Sequence, residues 1–194
     1  MTFLGIVAVA LGAVFSENIV FTHAFGISPF LSKSENFAEA LITGITVTVM
    51  LTVSALLTSI VDFYVLRLLD MTYLRSLVCV LFIALSIAPL SVLIKKYGKS
   101  FRGLPVSAVE AFSNTTVLGV CLFATNIGYN PLASLVYGLF AGVGFTLAIL
   151  FFSIVRARLK YSKTPKFFDG LPMLLITSGL VALVFSVFEG MKFI

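Results

Sequence analysis

Six apolar stretches dominate this chain of 194 residues. A helix needs about 20 mostly apolar residues to cross roughly 30 Å of hydrocarbon at about 1.5 Å per residue. The stretches run from about Phe3 to Ala24, Phe37 to Ile60, Tyr73 to Ile94, Leu104 to Ala124, Pro131 to Val155 and Gly170 to Phe188. No basic segment precedes the first, so it reads as a retained helix and not as a cleaved signal peptide. Strands of about ten residues with alternating hydrophobicity, the mark of an outer-membrane barrel, are absent from the sequence. With 60% hydrophobic and only 11% charged residues, the chain lies far from soluble domains, in which about 25% of residues are charged. The fold class is an all-α integral membrane protein, one transmembrane domain over 1–194 with six helices.

The basic residues orient it, because cytoplasmic loops retain Lys and Arg. Lys33 falls in the first loop, Lys95, Lys96, Lys99 and Arg102 in the third, and Arg156, Arg158, Lys160, Lys163 and Lys166 in the fifth. Arg67, Arg75 and Lys192 fall on the opposite side, beside Asp62, Asp70 and Glu189. Ten basic residues against three place the odd loops in the cytoplasm and both termini outside. The net charge of +5 is therefore a topological signal, and no nucleic-acid partner is expected.

A weak internal repeat relates the second and fifth stretches at a spacing of 94 residues. Leu41 aligns with Leu135, Gly44 with Gly138, Val49 with Val143, Thr52 with Thr146, and Ser59-Ile60-Val61 with Ser153-Ile154-Val155. At the end of the match Asp62 opposes Arg156. Three helices per repeat give the halves opposite orientations, and the charge reversal is what opposite membrane faces require. The expectation is two inverted three-helix repeats, about 1–95 and 96–194, an arrangement that in transporters forms a midplane site from discontinuous helices.

Polar groups within the spans mark candidate sites, since each is costly in hydrocarbon. Glu17 and Asn18 lie in the first stretch; Glu110 and Asn114 lie in the fourth. Gly26-Ile27-Ser28-Pro29 reads as a helix break, because Pro29 lacks an amide hydrogen and disfavours a helical Ser28. Thr115 and Thr116 suit the ordinary back-bonding of membrane hydroxyls. His23 reads as an interfacial residue. With one histidine, two cysteines and no phosphate-binding glycine loop, the chain shows no independent catalytic site, no nucleotide site and no metal site of its own.

These motifs carry a resemblance. Phe25-Gly26-Ile27-Ser28-Pro29-Phe30 is similar to the F-L-G-x-C-P-F element of the RnfA/NqrE family, and Asn114-Thr115-Thr116-Val117-Leu118-Gly119-Val120 resembles its T-N-C-A-V-L-G-V. Tyr73-Leu74-Arg75, Lys95-Lys96, Gly138 to Arg158 and Phe168-Asp169-Gly170-Leu171-Pro172 extend the likeness along nearly the whole chain. The resemblance implies a multi-pass component of a prokaryotic cytoplasmic membrane complex that couples electron transfer to ion movement. It implies a homologous RnfE- or NqrD-like partner and a [2Fe–2S] cluster shared between the two. Here the family's ligand cysteines fall on Ser28 and Thr115, so the cofactor site is degenerate. Glu110 also stands where the family pattern is neutral, and Pro89 and Ser91 stand where an acidic position is expected. Two further readings compete with that of a complex component. One is a cluster-less relative that transports an ion or small molecule through a midplane site of Glu17, Asn18, Glu110 and Asn114. The other is a purely structural scaffold.

Overall fold

The computed structural model describes residues 9–10, 12–16, 18–85, 115–159, 161, 165, 167–168 and 170–189, and these contain helices and no strand. At its centre two long helices cross: α2, preceded by the short α1 (Ile27–Lys33), spans Phe37–Val61 and runs on through a π-helical turn, Asp62–Leu66. Helix α3 spans Arg75–Leu85 and α4 Thr115–Ile127; α5, the second long helix, is Pro131–Leu159, and α6 is Leu171–Glu189.

Of the six expected spans, Phe37–Leu66 and Pro131–Leu159 are long and apolar enough to cross a bilayer; Arg75–Leu85, Thr115–Ile127 and Leu171–Val187 are shorter apolar helices. The stretches expected up to Ile94 and from Leu104 pass through 86–114, which lies outside the described residues. The first stretch is interrupted. A π-helical turn at Gly12–Ser16 gives way to turns from Ile19, and the chain re-enters helix only at Ile27. The break expected at 26–29 is thus displaced towards the N-terminus. Gly26, in the left-handed region at φ 79°, caps α1, whereas Ser28 and Pro29 are helical. Proline is tolerated there because an amide in the first turn has no partner within the helix.

Small residues let α2 and α5 approach. A Cβ on Gly142 would lie 2.6 Å from Thr48 Cα, one on Gly44 would lie 2.6 Å from Thr146 Cγ2, and one on Gly138 would lie 2.9 Å from both the Leu51 carbonyl oxygen and Ala55 Cβ. Thr48 and Thr146 share a 3.0 Å hydroxyl–hydroxyl bond across the crossing. Such close contact is how helices associate in lipid, where burial alone gives no drive. Val47, Met50 and Leu51 of α2 pack with Phe145, Ile149 and Phe152 of α5 in the buried core. Leu41, Ile45, Leu132, Leu147 and Ile154 point outward. Apolar side chains outside and hydroxyls inside form the pattern of a bilayer-embedded bundle. Phe21 stacks on Phe185 with centroids 4.4 Å apart, joining the first segment to α6.

Among the described residues, arginines tie connecting segments at two places. At one, Arg156 near the end of α5 donates to the Leu31 carbonyl (2.6 Å) and to Ser34 Oγ (3.1 Å), just beyond α1. At the other, Arg67 lies beside Gly128, the residue following α4. A cation beside the last carbonyls of a helix meets the negative end of its dipole.

Candidate functional site

Of the six candidate positions, Asn18, Ser28 and Thr115 are described; Glu17, Glu110 and Asn114 lie outside the described residues. Asn18 is 2% exposed. Its amide nitrogen donates to the Val14 carbonyl (3.0 Å) and to the Gly144 carbonyl of α5 (3.3 Å), and its Oδ1 accepts from the Val20 amide (3.2 Å). Both amide hydrogens and the carbonyl are thus engaged. Asn18 ties the interrupted first segment to α5 at the point where Gly144 has no side chain to hold it off: a Cβ there would lie 3.2 Å from the Ala13 carbonyl oxygen.

Ser28 and Thr115 come from segments far apart in sequence that meet at the break. The Gly26 amide donates to Thr115 Oγ1 at 3.0 Å, and a Cβ on Gly119 would lie 2.6 Å from the Phe25 ring. The start of α1 therefore packs against the start of α4, and both Ser28 and Thr115 are exposed at the surface of this chain. The Phe25-to-Phe30 motif and the described part of the second motif, Thr115 to Val120, read separately in the sequence, converge here.

The donor chemistry decides what this place can hold. A cluster of the kind the resemblance implies is bound by thiolates, and both positions carry alcohols, which surrender their protons far less readily. One of them, Thr115, already accepts a backbone hydrogen bond. These residues do not fit a thiolate-held cluster. Cys79 and Cys121 are fully buried in the core, whereas Ser28 and Thr115 are exposed. Among the described residues no group of three or more His, Cys, Asp or Glu is placed to hold a metal ion.

The sequence marks Asp62, Arg67 and Arg75 only as loop charges, and the structure joins them. Asp62, 2% exposed, accepts from Arg67 Nε at 2.9 Å on Oδ2 and from Arg75 Nε at 2.6 Å on Oδ1. The signal that could have found them is an aspartate closing a long apolar helix with arginines shortly downstream. Ser134 Oγ donates to Ser59 Oγ at 2.9 Å, a second polar link between α5 and α2.

Comparison with known proteins agrees with this architecture. Residues 6–192 match the family described as Rnf-Nqr subunit, membrane protein. The chain is 34% identical over 188 residues to one subunit of the Na+-translocating ferredoxin:NAD+ oxidoreductase complex of Acetobacterium woodii, covering 96% of this chain and 98% of that protein. It is 34% identical to one subunit of an ion-translocating oxidoreductase complex of Serratia proteamaculans, covering 93% and 94% of the two chains. The corresponding Citrobacter koseri protein is 33% identical over the same shares. With a family match over nearly its whole length and relatives aligned end to end, this chain belongs to the Rnf-Nqr family of membrane subunits.

Proposed function

We propose that this chain is a membrane subunit of an ion-translocating oxidoreductase complex, and that its own residues at 28 and 115 ligate no cluster. The observation that carries the reading is similarity along 96% of the chain to a component of such a complex. In this reading the chain supplies architecture and ion coupling, and transmembrane electron relay is rerouted or supplied by the partner. An RnfE- or NqrD-like homologue packs against the exposed face bearing Ser28 and Thr115. Both termini lie outside the cytoplasm, and the candidate acids for ion coupling are Glu17 and Glu110.

The same reading takes the fold as two inverted three-helix repeats. The spacing of 94 residues carries position 48 to position 142, so the tightest backbone approach of the crossing, Thr48 against Gly142, maps onto itself. A two-fold axis through the α2–α5 crossing requires that. The Gly44–Thr146 approach maps onto 52 and 138, and Gly138 sits against Leu51 and Ala55.

Anaerobic purification from native membranes in mild detergent tests the proposal, with iron and acid-labile sulfide analysis and an EPR spectrum of the reduced state. The expected result is co-purification with redox proteins and a homologous membrane protein, with iron content unchanged in Ser28→Ala/Thr115→Val. Loss of a [2Fe–2S] signal in that variant would overturn the ligand statement. A chain that purifies alone and transports an ion or solute after reconstitution would overturn the reading as a complex component in favour of a cluster-less transporter.

A further inference from the structure

Hydroxyls in membrane helices ordinarily donate to the carbonyl four residues back, which removes the cost of a bare polar group in hydrocarbon. Thr46, Thr52, Thr125 and Thr177 do so here, at 2.7 to 3.0 Å, as does whichever of Thr48 and Thr146 accepts in the bond between them. Ser54 and Thr58 do not. They are 0% and 1% exposed, and neither oxygen has a hydrogen-bond partner of acceptable geometry, although the Thr58 hydroxyl lies beside the Cys121 thiol of α4.

The two are aligned with a third polar group. Ser54, Thr58 and Asp62 are spaced four residues apart on α2, so they stack on one face with a rise of about 6 Å per step. At the far end of the row Arg67, bonded to Asp62, carries a buried Nη2 that also has no partner. Three of the four unpartnered buried side-chain atoms found among the described residues therefore lie along one line from the middle of α2 to the Asp62 ion cluster. The fourth, Thr43 Oγ1, lies nearer the opposite end of α2. Cys79 of α3 and Cys121 and Thr125 of α4 flank the line, with the Thr125 hydroxyl beside the Cys79 thiol.

We propose that a short file of ordered water molecules occupies the interface of α2, α3 and α4, running from Ser54 past Thr58 to the Asp62–Arg67 pair. A buried water needs two to four polar partners. Ser54 and Thr58 each offer an unused donor, Arg67 Nη2 offers unused N–H groups, and the Asp62 carboxylate keeps acceptor capacity beyond its two arginine bonds. The occupant is water and not a cation. The one carboxylate on the line is outnumbered by Arg67 and Arg75, so the mouth carries net positive charge, and hydroxyls and protonated thiols make a poor cation shell.

Cys79 and Cys121, the two cysteines of the chain, are built-in reporters, because the S–H stretch falls in an infrared window clear of other protein bands. The full-length protein in lipid nanodiscs is transferred to D2O, and conversion of S–H to S–D is followed beside amide exchange. The expected result is thiol exchange at least about tenfold faster than that of the slowest amides, which open only with the fold. Exchange of both thiols in step with those amides would overturn the proposal. Ser54→Ala/Thr58→Val is expected to slow thiol exchange about tenfold or more relative to wild type, and unchanged exchange in that variant would also overturn it. Thr58→Ser keeps the hydroxyl and is expected to retain the wild-type rate; should the double variant fail to fold, the wild-type comparison alone decides. Cys79→Ala assigns the remaining band to Cys121.

Discussion

Adding a methyl group at Gly142 or at Gly44 measures how α2 and α5 are held together, and the two sites differ in a way that makes the test sharp. At Gly142 the new Cβ would lie 2.6 Å from Thr48 Cα, about 1 Å inside the roughly 3.5–4.0 Å of ordinary carbon contact. That neighbour is backbone, so relief requires the helices to part. Overpacking costs about 1–3 kcal/mol, and alanine returns up to about 1 kcal/mol of helix propensity over glycine. Gly142→Ala is therefore expected to destabilise by about 1–2 kcal/mol. At Gly44 the near atoms are Thr146 Cγ2 at 2.6 Å, Oγ1 at 2.8 Å and Cβ at 3.0 Å. Rotation of that side chain relieves the first two and sacrifices the bond to Thr48, which in a membrane is worth about 0.6 kcal/mol. Gly44→Ala should accordingly cost less than about 1 kcal/mol, and Thr146→Ala should recover most of it. Thr48→Ala should recover little of the Gly142→Ala loss, because the offending Cα remains. Unfolding by SDS titration in mixed micelles, followed by far-UV circular dichroism across both double-mutant cycles, gives the numbers. Gly142→Ala within about 0.5 kcal/mol of wild type, or equal rescue in the two cycles, would refute the reasoning.

Asp62→Asn leaves Arg67 and Arg75 facing each other without their counter-charge. The loss should be about 2–3 kcal/mol in the same titration, below the roughly 3–5 kcal/mol of a fully buried broken pair, because the arginine side chains retain 31% and 22% exposure. Adding Arg75→Gln to that variant should restore part of the loss. Asn18→Leu removes the tie to Val14 and Gly144 and leaves the Val20 amide without its acceptor, for an expected loss of about 1–2 kcal/mol. Its signature is faster amide exchange in residues 18–26 than in α2, measured by mass spectrometry.

The long central helices are legible because their signal is local. Phe37 is expected to open α2 and does, and the end expected at Ile60 lies one residue short of Val61, where the structure continues. The expected end of α5 at Val155 falls four residues short of Leu159. Hydropathy stops where Arg156 and Arg158 begin, whereas backbone hydrogen bonding continues, and basic residues suit the last turn of a helix. What the sequence conceals is long-range pairing. Asn18 reads as part of a polar pathway, yet its partner Gly144 is 126 residues away and only the fold reveals the tie. Ser54 and Thr58 read as ordinary hydroxyls, since no local pattern distinguishes a threonine that bonds its own helix from one that does not. The break expected at 26–29 exists but lies on earlier residues. Proline signals a boundary without saying whether it stands before or after it, and here the left-handed Gly26 sets the edge.

The contact between Gly26 and Thr115 explains how a chain of this family keeps its architecture with alcohols at 28 and 115. Where a metal supplies the folding energy, loss of its ligands unfolds the domain. Here the two halves are joined elsewhere, by the glycine-lined crossing of α2 and α5, by Asn18 and by the Ser59–Ser134 link. What the break itself requires is an acceptor for the Gly26 amide, because a bare amide away from water is costly. Thr115 Oγ1 meets that need at 3.0 Å and carries no charge, whereas a thiolate at the same place would need a metal or a cation to offset its own burial. The alcohol at 115 thus has a structural task of its own, holding the start of α4 to the backbone of the break. Uncharged hydroxyls and amides that satisfy one another in this way are what polar groups at depth in a bilayer require.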